Sequence, residues 1–354
     1  MKKIVLTGGG TAGHVTPNIA LMDGLKEKDF SISYIGSYNG IERELIAGCG
    51  VEYYPISSGK LRRYFDIKNF TDPFRVLKGY AQAKRLLKML KADIIFSKGG
   101  FVSVPVVLAA KSLQIPVIIH ESDMTPGLAN RIAMRGATKI CCNFPETLSY
   151  LPKDKAVLTG SPIRRELLSG DAKRALSFLG FSEEKPVILV MGGSIGSVFI
   201  NNAVRGALDT LLESFQIIHL CGKGNLDPAY DNRAGYRQFE YISKELPDLF
   251  AAAALVISRA GANSICELLA LRKPNILIPL SLNASRGDQI LNARSFEKQG
   301  FSYVMEEEKV DEKSLTKAVN KVYKEREGYV AAMKKSDLAD SVTTIINLIC
   351  ESAK

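Results

Sequence analysis

Nowhere in the 354-residue chain do about 20 apolar residues run consecutively, so no helix is expected to span a membrane. The first residues, MKKIVLTGGG, lack the long apolar stretch and small-residue cleavage site of a signal peptide, and none is expected. The six cysteines are Cys49, Cys141, Cys142, Cys221, Cys266 and Cys350. None stand in C-x-x-C spacing and most lie in apolar runs, so they read as reduced, buried, cytosolic thiols rather than a disulfide frame or a zinc site. No D-x-D pair occurs, so the acidic metal clamp common in nucleotide-sugar enzymes is missing. No G-x-x-x-x-G-K-[ST] loop occurs either, which argues against a P-loop nucleotidase. No metal and no cofactor are expected.

What is present is ordinary for a soluble globular chain: 46% apolar and 24% charged residues. The length suggests two domains of about 150–200 residues each. Short apolar runs recur at 4–6, 32–35, 93–96, 117–119 and 140–142, then at 187–191, 217–220, 255–257 and 276–278. They are continuous rather than alternating, which predicts strands buried on both faces. Helical patterns lie between them, at 17–28, 76–90, 201–213 and 289–297 among others. Alternating strand and helix predicts an α/β fold with parallel sheets. The rhythm pauses over 150–169, which places a boundary near Ser161 and gives domains 1–160 and 161–354. The last helix, roughly 329–352, is a candidate to pack back on the first domain.

Two features carry chemistry. After the first strand come Gly8, Gly9, Gly10, Thr11, Ala12, Gly13 and His14, with Thr16 a candidate N-cap and Pro17 at N1. Gly8, Gly10 and Gly13 satisfy G-x-G-x-x-G, but no carboxylate ends the second strand, as a dinucleotide's ribose usually requires. His14 stands at the C-terminal edge of the sheet, where a neutral imidazole suits proton abstraction from a sugar hydroxyl or a bond to a phosphate. The second half repeats the device, with GGSIGS at 192–197 and RAGANS at 259–264, each opening a helix. Backbone N–H groups and helix N-termini converging on one crevice suit a diphosphate, and would stabilise it as a leaving group. Glu267, early in the helix after 262–264, can accept both hydroxyls of a ribose. Arg286, Asp288 and Gln289 could reach a sugar's hydroxyls.

Net charge is +10, and its excess is local. From Lys60 to Lys91 stand ten Lys and Arg against Asp66 and Asp72. Leu61, Tyr64, Phe65, Phe70, Phe74, Val76 and Leu77 interleave with them. Cations mixed with aromatics suit an anionic lipid surface; a solvated helix face is the plainer alternative. No nucleic-acid-binding motif accompanies the charge, and no nucleic-acid partner is expected.

These residues resemble the MurG family of UDP-N-acetylglucosamine transferases over nearly the whole length. The motifs keep the family's order: GGGTAGHVTP at 8–17, KGGFVSVP at 98–105, HESDMTPGLANR at 120–131, GSPIR at 160–164, GGSIGS at 192–197, RAGANSICE at 259–267 and RGDQILNA at 286–293. The resemblance implies the GT-B fold, two Rossmann-like domains facing across a cleft. It implies an inverting transfer of N-acetylglucosamine from UDP-N-acetylglucosamine to the 4-hydroxyl of lipid I, forming lipid II for the cell wall, and with it links to cell shape and division. The implied place is the cytoplasmic face of the cell membrane, peripherally bound, with the cell-wall and division machinery as candidate partners.

Residue by residue, the resemblance puts Thr11, Ala12 and Gly13 near the donor sugar and diphosphate. Arg164 and Ser194 would contact the donor's phosphates and nucleotide, and Ile242 the uracil. Ala262, Asn263, Ser264, Ile265, Cys266 and Glu267 would form the phosphate- and ribose-binding helix start, and Gln289 would hold the N-acetylglucosamine hydroxyls. His14 matches the family histidine proposed as base or acceptor-site residue, with Asp123 and Glu121 in reserve. Many members carry Asn where this chain has Asp123, and a carboxylate accepts hydrogen bonds without donating them. Related UDP-sugar lipid glycosyltransferases and UDP-N-acetylglucosamine 2-epimerases share the architecture and remain alternatives at this point.

Overall fold

The computed structural model describes residues 1–59, 68–193, 196–282 and 287–354. They form two compact units, 1–164 with 340–354, and 165–339.

The first unit is built on β1 (Lys2–Thr7), β2 (Phe30–Ser37), β3 (Glu52–Ile56), β4 (Ile94–Ser97), β5 (Val117–Glu121), β6 (Lys139–Cys142) and β7 (Ala156–Leu158). All pairings are parallel, in the order β3-β2-β1-β4-β5-β6-β7. Its helices are α1 (Thr16–Glu27), α2 (Ile41–Ala47), α3 (Lys68–Leu90), α4 (Ser103–Ser112) and α5 (Leu128–Ala133). Strand alternation sends Ile4 and Leu6 to one face and Val5 to the other. Both faces are covered: Leu21 and Leu25 of α1 pack with Ile4, Leu6 and Phe96, while Ala83 and Leu87 of α3 and Val106 and Val107 of α4 pack with Val5 and Ile95. Each such buried aliphatic side chain contributes roughly 1.5–3 kcal/mol.

The second unit holds β8 (Val187–Met191), β9 (Gln216–Leu220), β10 (Tyr236–Phe239), β11 (Ala253–Ser258), β12 (Asn275–Leu277) and β13 (Tyr303–Val304). They too are parallel, ordered β10-β9-β8-β11-β12-β13. Its helices are α6 (Ala172–Leu179), α7 (Val198–Gly206), α8 (Leu208–Ser214), α9 (Leu246–Ala252), α10 (Ala262–Ala270), α11 (Asp288–Lys298), α12 (Glu312–Lys324) and α13 (Arg326–Lys334). The chain then returns to the first unit, where Ile345, Ile346 and Ile349 of α14 (Ser341–Ser352) join the core beside α1. The Ser341 hydroxyl donates to Ser161 O at 2.6 Å. Two doubly wound parallel sheets of this kind are the Rossmann-like pair that the sequence motifs imply.

Several expected elements differ. The segment 201–213 is two helices, α7 and α8, because Gly206 is a poor helix residue and ends the first. The segment 329–352 is also two, and Asp340 starts the second by accepting from Thr343 N. Thr16 does not cap α1: its hydroxyl donates to Ala12 O at 3.2 Å, within a 3-10 turn at Ala12–His14. Strands β3, β7, β10 and β13 had no counterpart among the apolar runs. None of the six cysteines is bonded to another, and no helix among the described residues is long and apolar enough to cross a membrane.

Candidate active site

Both sheets reverse their strand order at one point, between β1 and β4 in the first unit and between β8 and β11 in the second. Crevices at such points, beyond the strands' carboxyl ends, are where open α/β sheets hold ligands. The register aligns the ends: Thr7 pairs with Ser97, and Met191 with Ser258. Each glycine turn therefore leaves its sheet beside a partner turn.

In the first unit the partners are Gly8–Gly10 and Lys98–Gly100. Lys98 N donates to Thr7 O at 2.9 Å. A Cβ on Gly100, whose φ is +83°, would strike Gly9 O, so the two turns touch through bare backbone. Beneath Gly8, buried Asn18 donates to Thr7 O and Tyr34 Oη, and Tyr34 donates to Gly8 O at 2.8 Å. From the side comes Glu42, fully buried at the start of α2. It accepts from Gly10 N at 3.1 Å, Ser37 N at 3.0 Å and the Ser37 hydroxyl at 2.5 Å. Burial alone would raise its pKa, but these bonds outweigh it and hold the carboxyl below its ordinary value.

His14 is half-buried, with Nδ1 3.1 Å from Gly9 O. A carbonyl only accepts, so Nδ1 carries the proton and Nε2 keeps its lone pair. Burial first, then the Lys98 ammonium, lowers its pKa from 6.5; the Gly9 bond and the Glu42 charge oppose them without reversing the sign. The ring is therefore neutral at pH 7.

Behind this turn lies a buried cation, Lys98, which opens the 98–105 motif but was assigned no role there. Lys98 is 1% exposed, and its Nζ lies 2.7 Å from both His120 Nδ1 and Ser122 Oγ and 3.3 Å from Ser161 Oγ. His120 donates from Nε2 to Gly160 O at 2.8 Å, so its Nδ1 accepts from the lysine. Burial, reinforced by Lys98, keeps that imidazole well below its ordinary pKa. Glu121 is nearly buried and fully engaged: it accepts from Asp123 N, Gly127 N and Asn130 Nδ2 at 2.9–3.0 Å. It shapes the 122–127 loop and is corrected from reserve base to a scaffold residue. Asp123 is half-buried on that loop, and Arg164 is half-buried at the end of the unit.

In the second unit the paired turns lead off from Gly192 and from Arg259, and Arg259 ties them together. It is 6% exposed. Its Nη2 donates to Ser197 Oγ at 2.7 Å and to Glu307 Oε1 at 2.6 Å, and its Nη1 to Ile278 O and Pro279 O. Ser197 caps α7. A Cβ on Gly196 would strike Cys221 O, which buried Asn201 holds from Nδ2 at 2.9 Å. Helix α10 follows Gly261, which has no side chain to cap it, and a helix N-terminus of this kind suits an anion.

Ala262, Asn263, Ser264 and Glu267 are half-buried along that first part of α10. Ile265 and Cys266 were expected to touch the donor, but their side chains are buried in the core, which leaves only backbone groups to offer. The Gln289 Oε1 accepts from Ala260 N at 3.3 Å and Leu280 N at 3.2 Å, so its amide nitrogen is the group with which it would donate to a sugar. Ile242 is buried, 8% exposed, in the loop after β10. Ser194 and Arg286 lie outside the described residues, as does the 60–67 part of the basic segment.

Comparison with known proteins identifies the family. The glycosyltransferase family 28 N-terminal domain matches residues 4–142, and the glycosyltransferase family 28 C-terminal domain matches 187–349. A relative from Lachnoclostridium phytofermentans is 65% identical over 99% of both chains, and one from Lachnospira eligens is 64% identical over the full length of both. Both are named UDP-N-acetylglucosamine–N-acetylmuramyl-(pentapeptide) pyrophosphoryl-undecaprenol N-acetylglucosamine transferase. Among solved structures, Acinetobacter baumannii MurG superposes with a TM-score of 0.76 at 24% identity, over 99% of this chain and 100% of that one. A Neisseria meningitidis UDP-GlcNAc 2-epimerase follows at 0.68 and 12%, over 99% and 100%, a likeness of fold alone. The chain belongs to glycosyltransferase family 28 and, within it, to the MurG family that its ordered motifs resemble.

Proposed function

We propose that the chain moves N-acetylglucosamine from UDP-N-acetylglucosamine to the 4-hydroxyl of the N-acetylmuramyl sugar in undecaprenyl-pyrophosphoryl-N-acetylmuramyl-pentapeptide. The observation that carries this is 65% identity across 99% of the chain to a relative named for that reaction. The site supports it in detail. The uncapped start of α10 offers N–H groups from Ala262, Asn263 and Ser264 to the donor diphosphate, and Ile265 and Cys266 add main chain only. Glu267 accepts the ribose hydroxyls, Ile242 lies at the uracil, and Gln289 donates from Nε2 to the sugar. The resemblance assigns the remaining sugar and phosphate contacts to Thr11, Ala12, Gly13, Asp123 and Arg164.

In the reaction His14 Nε2 takes the proton of the acceptor hydroxyl as its oxygen bonds to the anomeric carbon. The bond from that carbon to the diphosphate oxygen breaks, UDP leaves with the electron pair, and configuration inverts. Helix N-termini and glycine-turn amides stabilise the departing charge. Incubating the chain with UDP-N-acetylglucosamine and a lipid I analogue is expected to release UDP only when the acceptor is present. Turnover of the donor alone would point to epimerase chemistry instead.

A lipid acceptor requires work at a bilayer, and α3 supports that. Phe74 and Leu77 are 75% and 66% exposed, beside exposed Arg75 and Lys78. Lys84, Arg85, Lys88 and Lys91 continue the charge. At about 1 kcal/mol per cation near an anionic surface, binding to anionic vesicles is expected to exceed that to neutral ones by at least roughly tenfold at low salt. Equal sedimentation with both would remove the electrostatic part.

A further inference from the structure

Glu42 lies off every motif of the chain, yet it is fully buried and holds the peptide that His14 touches. The group it accepts from is Gly10 N–H; the group that accepts from His14 is Gly9 C=O. These are the two ends of one peptide unit. We propose that Glu42 is a positioning residue that acts on His14 through the Gly9–Gly10 peptide, as the carboxylate of a carboxylate–imidazole dyad acts directly. This rests on the reading of His14 as the base.

The packing leaves the carboxylate no freedom. A Cβ on Gly9 would lie 2.5 Å from its carboxyl carbon, and one on Gly40 would collide with its oxygens. Two glycines on either side thus make room for this one side chain. Ser37 holds it from both N–H and hydroxyl, which keeps it ionised and aimed. A negative charge on the N–H side of a peptide polarises the unit and makes its carbonyl a stronger acceptor. The stronger acceptor fixes the Nδ1–H tautomer, aims Nε2 and stabilises the imidazolium once the proton arrives. Two charged groups face the ring, Glu42 from α2 and Lys98 from the turn after β4. Of these two charges Glu42 favours the protonated state and Lys98 the neutral one, so the pair poises the base from opposite sides.

The test is Glu42→Gln, which keeps the shape and removes the charge. A roughly tenfold fall in kcat is expected, with the donor KM within about threefold. The acid limb of the kcat–pH profile is expected to move to lower pH, because loss of the anion disfavours the imidazolium. In a His14→Ala background the same substitution is expected to change kcat little. A folded Glu42→Gln protein with wild-type kcat and acid limb overturns the proposal. So does a nitrogen-15 spectrum of the unaltered chain in which the His14 proton sits on Nε2, a measurement that stands whether or not the variant folds. A His14→Ala protein of near-normal kcat removes the base role itself, and so separates failure of that reading from failure of the relay.

Discussion

Replacing His14 with alanine is expected to lower kcat by about 10²–10⁴-fold while the donor KM changes far less. The asymmetry follows from where the ring's two nitrogens go. Nδ1 is committed to Gly9 O, so Nε2 is the atom with a lone pair to spend. No bond to the nucleotide is assigned to it, so ground-state binding of the donor should survive. Because the pKa lies below 6.5, the base is present across neutral pH, and the wild-type rate should fall only in acid. The His14→Ala profile should lose that limb. A near-normal kcat would transfer the role to Asp123, since Glu121 has both oxygens occupied.

The sheets were legible to the depth at which they are buried. Every interior strand announced itself as a continuous apolar run, because helices cover both faces. The four that did not, β3, β7, β10 and β13, are the outermost strand on each side of each sheet. They have neighbours on one side only and are half-exposed along most of their length, so selection for apolar side chains is weak. The site divides in a similar way. Glycine turns were readable because a tight turn at a strand's end is a local demand. The contacts that fix those turns were not, because they reach far along the chain: Glu42 meets Gly10 across 32 positions, and Arg259, itself within a motif, meets Glu307 across 48. Gln289 shows the converse. Its motif marked it as important, and the structure spends its oxygen on joining two backbone segments.

Arg259→Ala is expected to cost about 3–5 kcal/mol of stability in the second unit, read as a lower urea midpoint near neutral pH. The size follows from what would be stranded. The Glu307 side chain is 13% exposed, and Ser281 N also donates to it, at 3.0 Å. Removing the guanidinium leaves a half-buried carboxylate without its counter-charge, and Ser197 without the donor that ties its turn to the next. Lysine should rescue little, because a single ammonium cannot reproduce bonds to Ser197, Glu307, Ile278 and Pro279 in one plane. The pH dependence has a definite sign. Burial pushes the Glu307 pKa up, but the Arg259 bond and those from Ser281 prevail and hold it below 4.5. A depressed folded pKa contributes stability that is present above the unfolded value and lost as pH falls through the folded one. Without Arg259 only the Ser281 bonds still oppose burial, so the carboxyl protonates at higher pH than in the wild type and relieves part of its own penalty. The gap between wild type and variant should therefore be widest near pH 7 and narrow below about pH 5. A gap that stays constant between those values would mean that Arg259 holds its neighbours by shape rather than by charge.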